Sequence, residues 1–111
     1  MKLTYAYLAI AIIAEVLATT ALKASDGFSR LWPSVFSVAG YGISFYFLSQ
    51  TMKVIPTGII YAVWSGAGIV LISTVGWLWM GQTLDKAALF GMALIVAGVL
   101  VIHLFSKSVP H

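Results

Sequence analysis

Four long runs of apolar residues divide the chain, and short polar segments separate them. The runs cover residues 3–22, 33–52, 58–80 and 87–105, and each is close to the roughly 20 residues that a helix needs to cross a bilayer. Turn-forming residues lie in the connectors, with Asp-Gly in 23–32, Pro56 in 53–57 and Gly81 in 81–86. The pattern predicts an all-α integral membrane protein, with residues 1–111 forming a single domain of four transmembrane helices.

The composition supports this class and excludes others. Of 111 residues, 61% are hydrophobic and 8% are charged, so a water-soluble domain would have too little polar surface. Cysteine is absent, which excludes disulfides and thiolate metal sites. The six basic residues are scattered at segment ends and form no cluster, so we expect no nucleic-acid partner.

Glu15 is the ionisable side chain in the middle of the first run. The run exceeds the apolar core of a signal peptide and contains this acid, so we interpret it as a permanent helix. A central acidic residue costs roughly 2.5–3.5 kcal/mol on translocon scales, and such residues usually face a bundle interior or wet cavity. Glu15 is therefore the predicted functional group. The alternative is an acid that pins helix packing through a hydrogen bond.

By helical period, Glu15 shares its face with several small or apolar side chains that we predict to line a pocket: Leu8, Ala11, Ile12, Ala18 and Thr19. The small residues leave room for a ligand or for a second helix. Polar and aromatic residues share faces on the next two helices, namely Tyr41 and Ser44, then Tyr61 and Trp64. An acid walled by aromatic rings suits an organic cation. Ordinary helix packing or anchoring at the membrane interface is the alternative for each aromatic residue.

Glycines mark two further features. Gly66 and Gly68 lie in the middle of the third run, where they predict a kink or hinge, with close packing as the competing explanation. On the fourth run, residues spaced three and four apart predict a dimer contact, with packing against helices of the same chain as the alternative: Gly91, Leu94, Ile95, Gly98 and Val99.

The balance of basic residues bears on orientation. Four spans place Lys2, Lys53 and Lys107 on one side of the membrane and Lys23, Arg30 and Lys86 on the other. Orientation follows the excess of Lys and Arg in cytoplasmic loops, so a balanced chain is predicted to insert both ways and to form an antiparallel dimer. The alternative is that one residue near a membrane edge decides the orientation. Four helices also shield Glu15 poorly, which favours oligomers.

Other reactive groups are few. The sequence has no metal-ligand cluster, nucleophile–base pair or phosphate loop, so we predict no enzyme activity, cofactor or metal. His103 is interpreted as an interfacial group, and His111 belongs to the terminal segment. Asp85 precedes the fourth run, where the helix dipole favours a negative charge.

Several stretches together resemble the small multidrug resistance transporters, of the type that exports quaternary ammonium compounds. They are AEVLATTALKASDGF around Glu15, RLWPS at 30–34, PTGIIYAVWSGAGIVLIS at 56–73 and GMALIVAGV at 91–99. The resemblance implies a four-helix protomer in the bacterial inner membrane, an antiparallel homodimer and proton-coupled export of lipophilic cations. It places the essential carboxylate at Glu15, binding aromatics at Tyr41, Tyr61 and Trp64, a serine at Ser44 and the kink at 66–68. Ala18 stands where the drug-exporting type usually has glycine and the guanidinium-exporting type tryptophan.

The predicted function is thus a proton-coupled antiporter in which protons and a lipophilic or quaternary ammonium cation compete for Glu15. One alternative is export of guanidinium or another small polar cation by the same fold. The other is a non-transporting membrane subunit or a passive pore.

Overall fold

The computed structural model describes residues 2–108 and contains four α-helices: α1 (Lys2–Ala24), α2 (Leu31–Thr51), α3 (Thr57–Met80) and α4 (Lys86–Phe105). No strand occurs within these residues. Each helix is long and apolar enough to cross a membrane, which confirms the predicted all-α, four-span architecture. The outer limits of the predicted domain 1–111, with His111, lie outside the described residues.

The contacts divide the chain into two compact units, Met1–Val54 with α1 and α2, and Ile55–His111 with α3 and α4. We name these the first and second helix pairs. Each consists of two helices joined by a short connector. That all four helices form a single domain stays a prediction.

Ser25 organises the connector of the first helix pair. Its hydroxyl donates to Leu22 O at 2.7 Å and accepts from Phe28 N at 3.0 Å, while its carbonyl accepts from Ser29 N and Arg30 N. The three residues from 26 to 28 all have positive φ, although only the middle one is glycine. This conformation is uncommon for a bulky side chain and persists where the surroundings fix it. Ser25 is fully buried and supplies the hydrogen bonds that hold the reversal.

Small residues line the interface between α1 and α2. Ala11 and Ala18 on α1 are buried, as are Ser37 and Ser44 on α2. Gly40 lies so close to α1 that a Cβ atom at this position would be 2.8 Å from Ala18 Cβ. Small side chains allow this approach, which is how helices gain packing contacts in lipid.

The second helix pair packs more sparsely. On α3, Gly66 lies against Val99 of α4, and α4 contains no buried residue. Gly81 ends α3 with φ 68°, and Asp85 caps α4 by accepting from Ala88 N at 2.9 Å. Asp85 thus lies at the start of the last helix, as predicted, and its side chain caps that helix; the favourable effect of the helix dipole on its charge stays a prediction.

Candidate functional site

Glu15 lies in the middle of α1 and is half-buried. Thr19 follows one helical turn later, and its hydroxyl donates to Glu15 Oε1 at 2.9 Å. Residues four apart on a helix are neighbours on the surface, so the unbroken helix sets this contact directly. The carboxylate is therefore held by a side chain of its own helix.

Tyr41 connects α2 to Thr19 and, through it, to the Glu15 carboxylate. Its phenol oxygen lies 2.7 Å from Thr19 Oγ1, so Thr19 connects Glu15 with Tyr41. The two helices are held in register nearby, because Gly40, the residue before Tyr41, packs against Ala18, the residue before Thr19. Close backbone approach at one position thus places two hydroxyls within hydrogen-bonding distance at the next.

An aromatic pair extends the site along α2. The ring of Tyr41 stacks on that of Phe45, with centroids 6.1 Å apart and planes 26° apart. A carboxylate linked through Thr19 to a stacked aromatic pair offers both charge neutralisation and aromatic faces to a cation. We name Glu15, Thr19, Tyr41 and Phe45 the acid–aromatic site.

The predicted pocket-lining residues other than Thr19 are buried in the structure: Leu8, Ala11, Ile12 and Ala18. For Ala18 and Ala11 the neighbour is α2, since Ala18 faces Gly40 and Ala11 O accepts a hydrogen bond from Ser44. In this structure the second helix, α2, lies against these two alanines, and the lining of a ligand pocket by the four residues stays a prediction.

Ser44 has a structural partner. It is fully buried, and its hydroxyl donates to Ala11 O at 2.7 Å across the helix interface. This bond ties α2 to the turn of α1 that precedes Glu15. Contact of Ser44 with substrate stays a prediction.

Tyr61 and Trp64 belong to the second helix pair. Tyr61 is 62% exposed, and its carbonyl accepts from the Ser65 hydroxyl at 2.8 Å. Trp64 is half-buried, and its ring edge lies 3.8 Å from where a Cβ at Gly68 would be. Their approach to Glu15 stays a prediction.

The predicted hinge lies in continuous helix. α3 runs unbroken from Thr57 to Met80, and Gly66 serves close packing, because a Cβ there would be 2.7 Å from Val99 Cγ2. At Gly68 the space is looser, with a single atom at ordinary contact distance. Bending at these glycines stays a prediction.

The predicted dimer face of α4 is partly occupied by its own chain. Val99 packs on Gly66 of α3, whereas Leu94 and Ile95 are 58% and 43% exposed. At Gly91 and Gly98, no described atom lies within 4 Å of an added Cβ outside the helix's own backbone. Contact of this face with a second copy stays a prediction.

Sequence reasoning missed two features of the site. It assigned Thr19 to the lining without the hydrogen bonds to Glu15 and Tyr41, and it did not single out Gly40. The spacing of four between acid and hydroxyl was the available signal. Within residues 2–108 no group of three or more metal-ligating side chains occurs.

Comparisons with a family model and with individual proteins point to the same family. Residues 3–95 match the family described as Small Multidrug Resistance protein. The chain is 58% identical over 107 residues to the multidrug transporter EmrE of Escherichia coli K12, covering 96% of this chain and 97% of that protein. It is 57% identical over 105 residues to the quaternary ammonium compound-resistance protein QacF of Klebsiella aerogenes, covering 95% and 96%. The multidrug resistance protein EbrA of Bacillus licheniformis is 47% identical over 100 residues, with 90% and 95% covered.

Proposed function

Because the chain belongs to the small multidrug resistance family, we propose that it exports lipophilic and quaternary ammonium cations across the bacterial inner membrane in exchange for protons. It is a multi-pass membrane protein, and its relatives are named as transporters and resistance proteins rather than as enzymes. The observation that carries the proposal is the half-buried carboxylate of Glu15 in the middle of α1, joined through Thr19 to Tyr41.

The chemistry of the acid–aromatic site supports a cationic substrate. An acid in the hydrocarbon core is costly, and a cation that neutralises it removes much of that cost. Tyr41 and Phe45 add ring faces, each of which attracts positive charge by about 0.5–2 kcal/mol. A quaternary ammonium group has no N–H donor, so charge and ring faces recognise it without a fixed hydrogen-bond pattern. The relative QacF is named for resistance to this class of compound.

Exchange of protons for cations follows from their competition for the Glu15 carboxylate. Glu15 neutralises a cation only when it is ionised, so a bound proton excludes the cation and a bound cation excludes the proton. If two protons enter for each monovalent cation that leaves, one net charge moves inward. With one pH unit and 100 mV this supplies about 5 kcal/mol. Such a driving force sustains a cation gradient of about 10³ to 10⁴.

We further propose that two copies form an antiparallel homodimer with their Glu15 carboxylates in one shared site. Two observations support this assembly. The Lys and Arg residues are balanced between the two sides of the membrane, which favours insertion in both orientations. In addition, α4 has no buried residue and exposes Leu94 and Ile95 beside two glycines at which an added Cβ meets no described atom within 4 Å.

Proton release on cation binding tests the proposal. Purified protein in weakly buffered detergent should release protons when tetraphenylphosphonium is added, and Glu15→Gln should abolish both the release and the binding. Asp26→Asn is the matched control, because it removes an exposed acid in the connector and leaves the site intact.

Two other results would assign a different function to the protein. Release by guanidinium but not by tetraphenylphosphonium would assign the fold to small polar cations. In proteoliposomes, flux that neither saturates nor requires a proton gradient would indicate a passive pore. Continued exchange by Glu15→Gln would contradict the role of the carboxylate itself.

A further inference from the structure

We propose that Thr19 is a positioning residue that reverses the hydrogen-bond direction of Tyr41 when Glu15 gains a proton. The direction in which the Tyr41 hydroxyl points then depends on the charge of Glu15, so a ligand in the acid–aromatic site meets a different polar group in each state. This inference rests on the proposed competition of proton and cation at Glu15, and it adds a second group whose properties change with that proton.

The geometry restricts the hydrogen positions. Thr19 Oγ1 lies 2.9 Å from Glu15 Oε1 and 2.7 Å from the Tyr41 oxygen, both ordinary distances for hydroxyl hydrogen bonds. A threonine hydroxyl has a single hydrogen. It can therefore donate in only one of these bonds at a time, so a donation from Thr19 to Glu15 requires Tyr41 to be the donor in the other bond.

The charge of Glu15 selects the direction. An ionised carboxylate only accepts, so Thr19 donates to Glu15 and accepts the hydrogen of Tyr41. The Tyr41 oxygen then presents lone pairs to its remaining surroundings. When a proton occupies Glu15 Oε1, the carboxyl donates to Thr19 and Thr19 donates to Tyr41. The Tyr41 hydrogen is then free to point towards another acceptor.

This reversal sharpens the exclusion between proton and cation. With Glu15 ionised, Tyr41 offers its negative end, which favours a cation. With Glu15 protonated, Tyr41 offers a hydrogen, which favours water and disfavours the cation. Consecutive hydrogen bonds polarise one another, so the phenol follows the state of the acid through the intervening hydroxyl.

The other described ionisable groups of the first helix pair do not replace Tyr41 as the partner of Thr19. On α2, Tyr41 is the residue that lies within hydrogen-bonding distance of Thr19. The other titratable residue of α2, Tyr46, is 61% exposed, and its ring contacts that of Phe47. On α1, Lys23 is exposed two turns beyond Glu15. The remaining titratable residues of α1 with described side chains are Tyr5 and Tyr7, and they precede Glu15 by two or more turns. Tyr7 packs on Phe47, with ring centroids 5.3 Å apart.

Infrared difference spectroscopy at two pH values tests the link. In membranes containing the native chain with isotope-labelled tyrosine, protonation of Glu15 should produce a carboxyl signal together with a tyrosine signal that Tyr41→Phe removes. Thr19→Val should keep the carboxyl signal and lose the tyrosine signal. Thr19→Ser, which restores a hydroxyl, should retain both. Thr19→Ala provides the same test if the valine variant does not fold.

The same variants change cation affinity. Tyr41→Phe removes one hydrogen bond and should weaken tetraphenylphosphonium binding by about 2- to 12-fold, and Thr19→Val, which removes two, should weaken it at least as much. The double variant should be no weaker than the weaker single variant, because both substitutions break the same connection. Additive losses would overturn the proposal.

Two results separate this proposal from the proposed function. A tyrosine signal that persists in Thr19→Val, or a carboxyl signal with no tyrosine signal in the native chain, overturns the reversal and leaves exchange at Glu15 intact. If the carboxyl signal does not respond to added cation, or if it survives in Glu15→Gln, the competition itself is wrong.

Discussion

Gly40 of α2 lies directly against Ala18 of α1, so that a Cβ atom at position 40 would be 2.8 Å from Ala18 Cβ and 3.2 Å from Ala14 O. This contact is adjacent to the bond between Tyr41 and Thr19. The close packing of Gly40 on Ala18 and the acid–aromatic site are therefore part of one arrangement.

Gly40→Ala should destabilise the first helix pair. The added methyl group meets backbone and a short side chain, neither of which can move aside easily, and overpacking of this kind costs about 1–3 kcal/mol. Thermal unfolding in detergent measures the loss. Gly42→Ala is the control, because no described atom outside the neighbouring backbone lies within 4 Å of its added Cβ. Ala18→Gly should rescue Gly40→Ala, and equal unfolding temperatures for both alanine variants would contradict this packing.

Gly66→Ala and Gly68→Ala should separate packing from bending in α3. The first substitution places a methyl group 2.7 Å from the branched side chain of Val99 and should destabilise the second helix pair by about 1–3 kcal/mol. The second meets only Trp64 at 3.8 Å, so stability should be unchanged. If position 68 is a hinge, Gly68→Ala slows transport in proteoliposomes without changing the unfolding temperature. Normal transport by this variant would contradict the hinge.

Ser44→Ala should destabilise the protein, whereas Ser37→Ala should not. Ser44 donates a buried hydrogen bond to Ala11 O, and its loss should cost about 0.5–1.5 kcal/mol. Ser37 Oγ is equally buried but bonds to no described residue, so its removal should be neutral or stabilising. Thermal unfolding of the two variants side by side provides the measurement. A larger loss for Ser37→Ala would show that its hydroxyl has a partner in the assembled protein.

Gly98→Leu should weaken the proposed dimer and leave the monomer folded. No described atom of the chain beyond the helix's own backbone lies within 4 Å of an added Cβ there, so we expect the larger side chain to be tolerated within the chain and to obstruct a second copy that packs on this face. Cross-linking in membranes should show less dimer, while helix content by circular dichroism stays constant. Leu100→Ala, at an exposed position on the α3-facing side, is the control that should leave the dimer unchanged. An unaffected dimer in Gly98→Leu would place the contact elsewhere.

Cation affinity should fall as the pH is lowered. Each proton that must leave Glu15 before the cation binds can weaken the affinity by up to about tenfold per pH unit. Calorimetric titration with tetraphenylphosphonium at several pH values measures this slope. An affinity independent of pH would contradict competition at the carboxylate.

The helices, and the position of Glu15 in the middle of the first one, could be predicted from sequence because both depend on local properties. Hydrophobic length sets a transmembrane helix, and the observed α3 differs from the predicted span 58–80 by a single residue at its start. A carboxylate in such a run stands out without knowledge of its neighbours. These features need no information about which helix packs against which.

The partners within the site could not be predicted in this way. Helical period placed Ala18 and Thr19 on the Glu15 face but did not distinguish a ligand pocket from a helix interface. Gly40 decides the matter for Ala18, since its missing side chain lets α2 approach. Ser44 was predicted as a binding residue because it shares a face with Tyr41 and matches the serine of the family's second helix, and neither signal indicated that its hydroxyl donates to Ala11 O. Such contacts depend on the distance between two helices, which the pattern of one helix does not contain.

The connector held by Ser25 has a mechanical consequence. Six residues, 25–30, reverse the chain and are held by hydrogen bonds to one buried serine, so we expect α1 and α2 to resist sliding along one another. The Glu15 carboxylate on α1 and the Tyr41 phenol on α2 are therefore expected to move together as parts of the first helix pair. Under the proposed function, we expect the movement that exposes a bound cation first to one side of the membrane and then to the other to bend the protein outside the first helix pair.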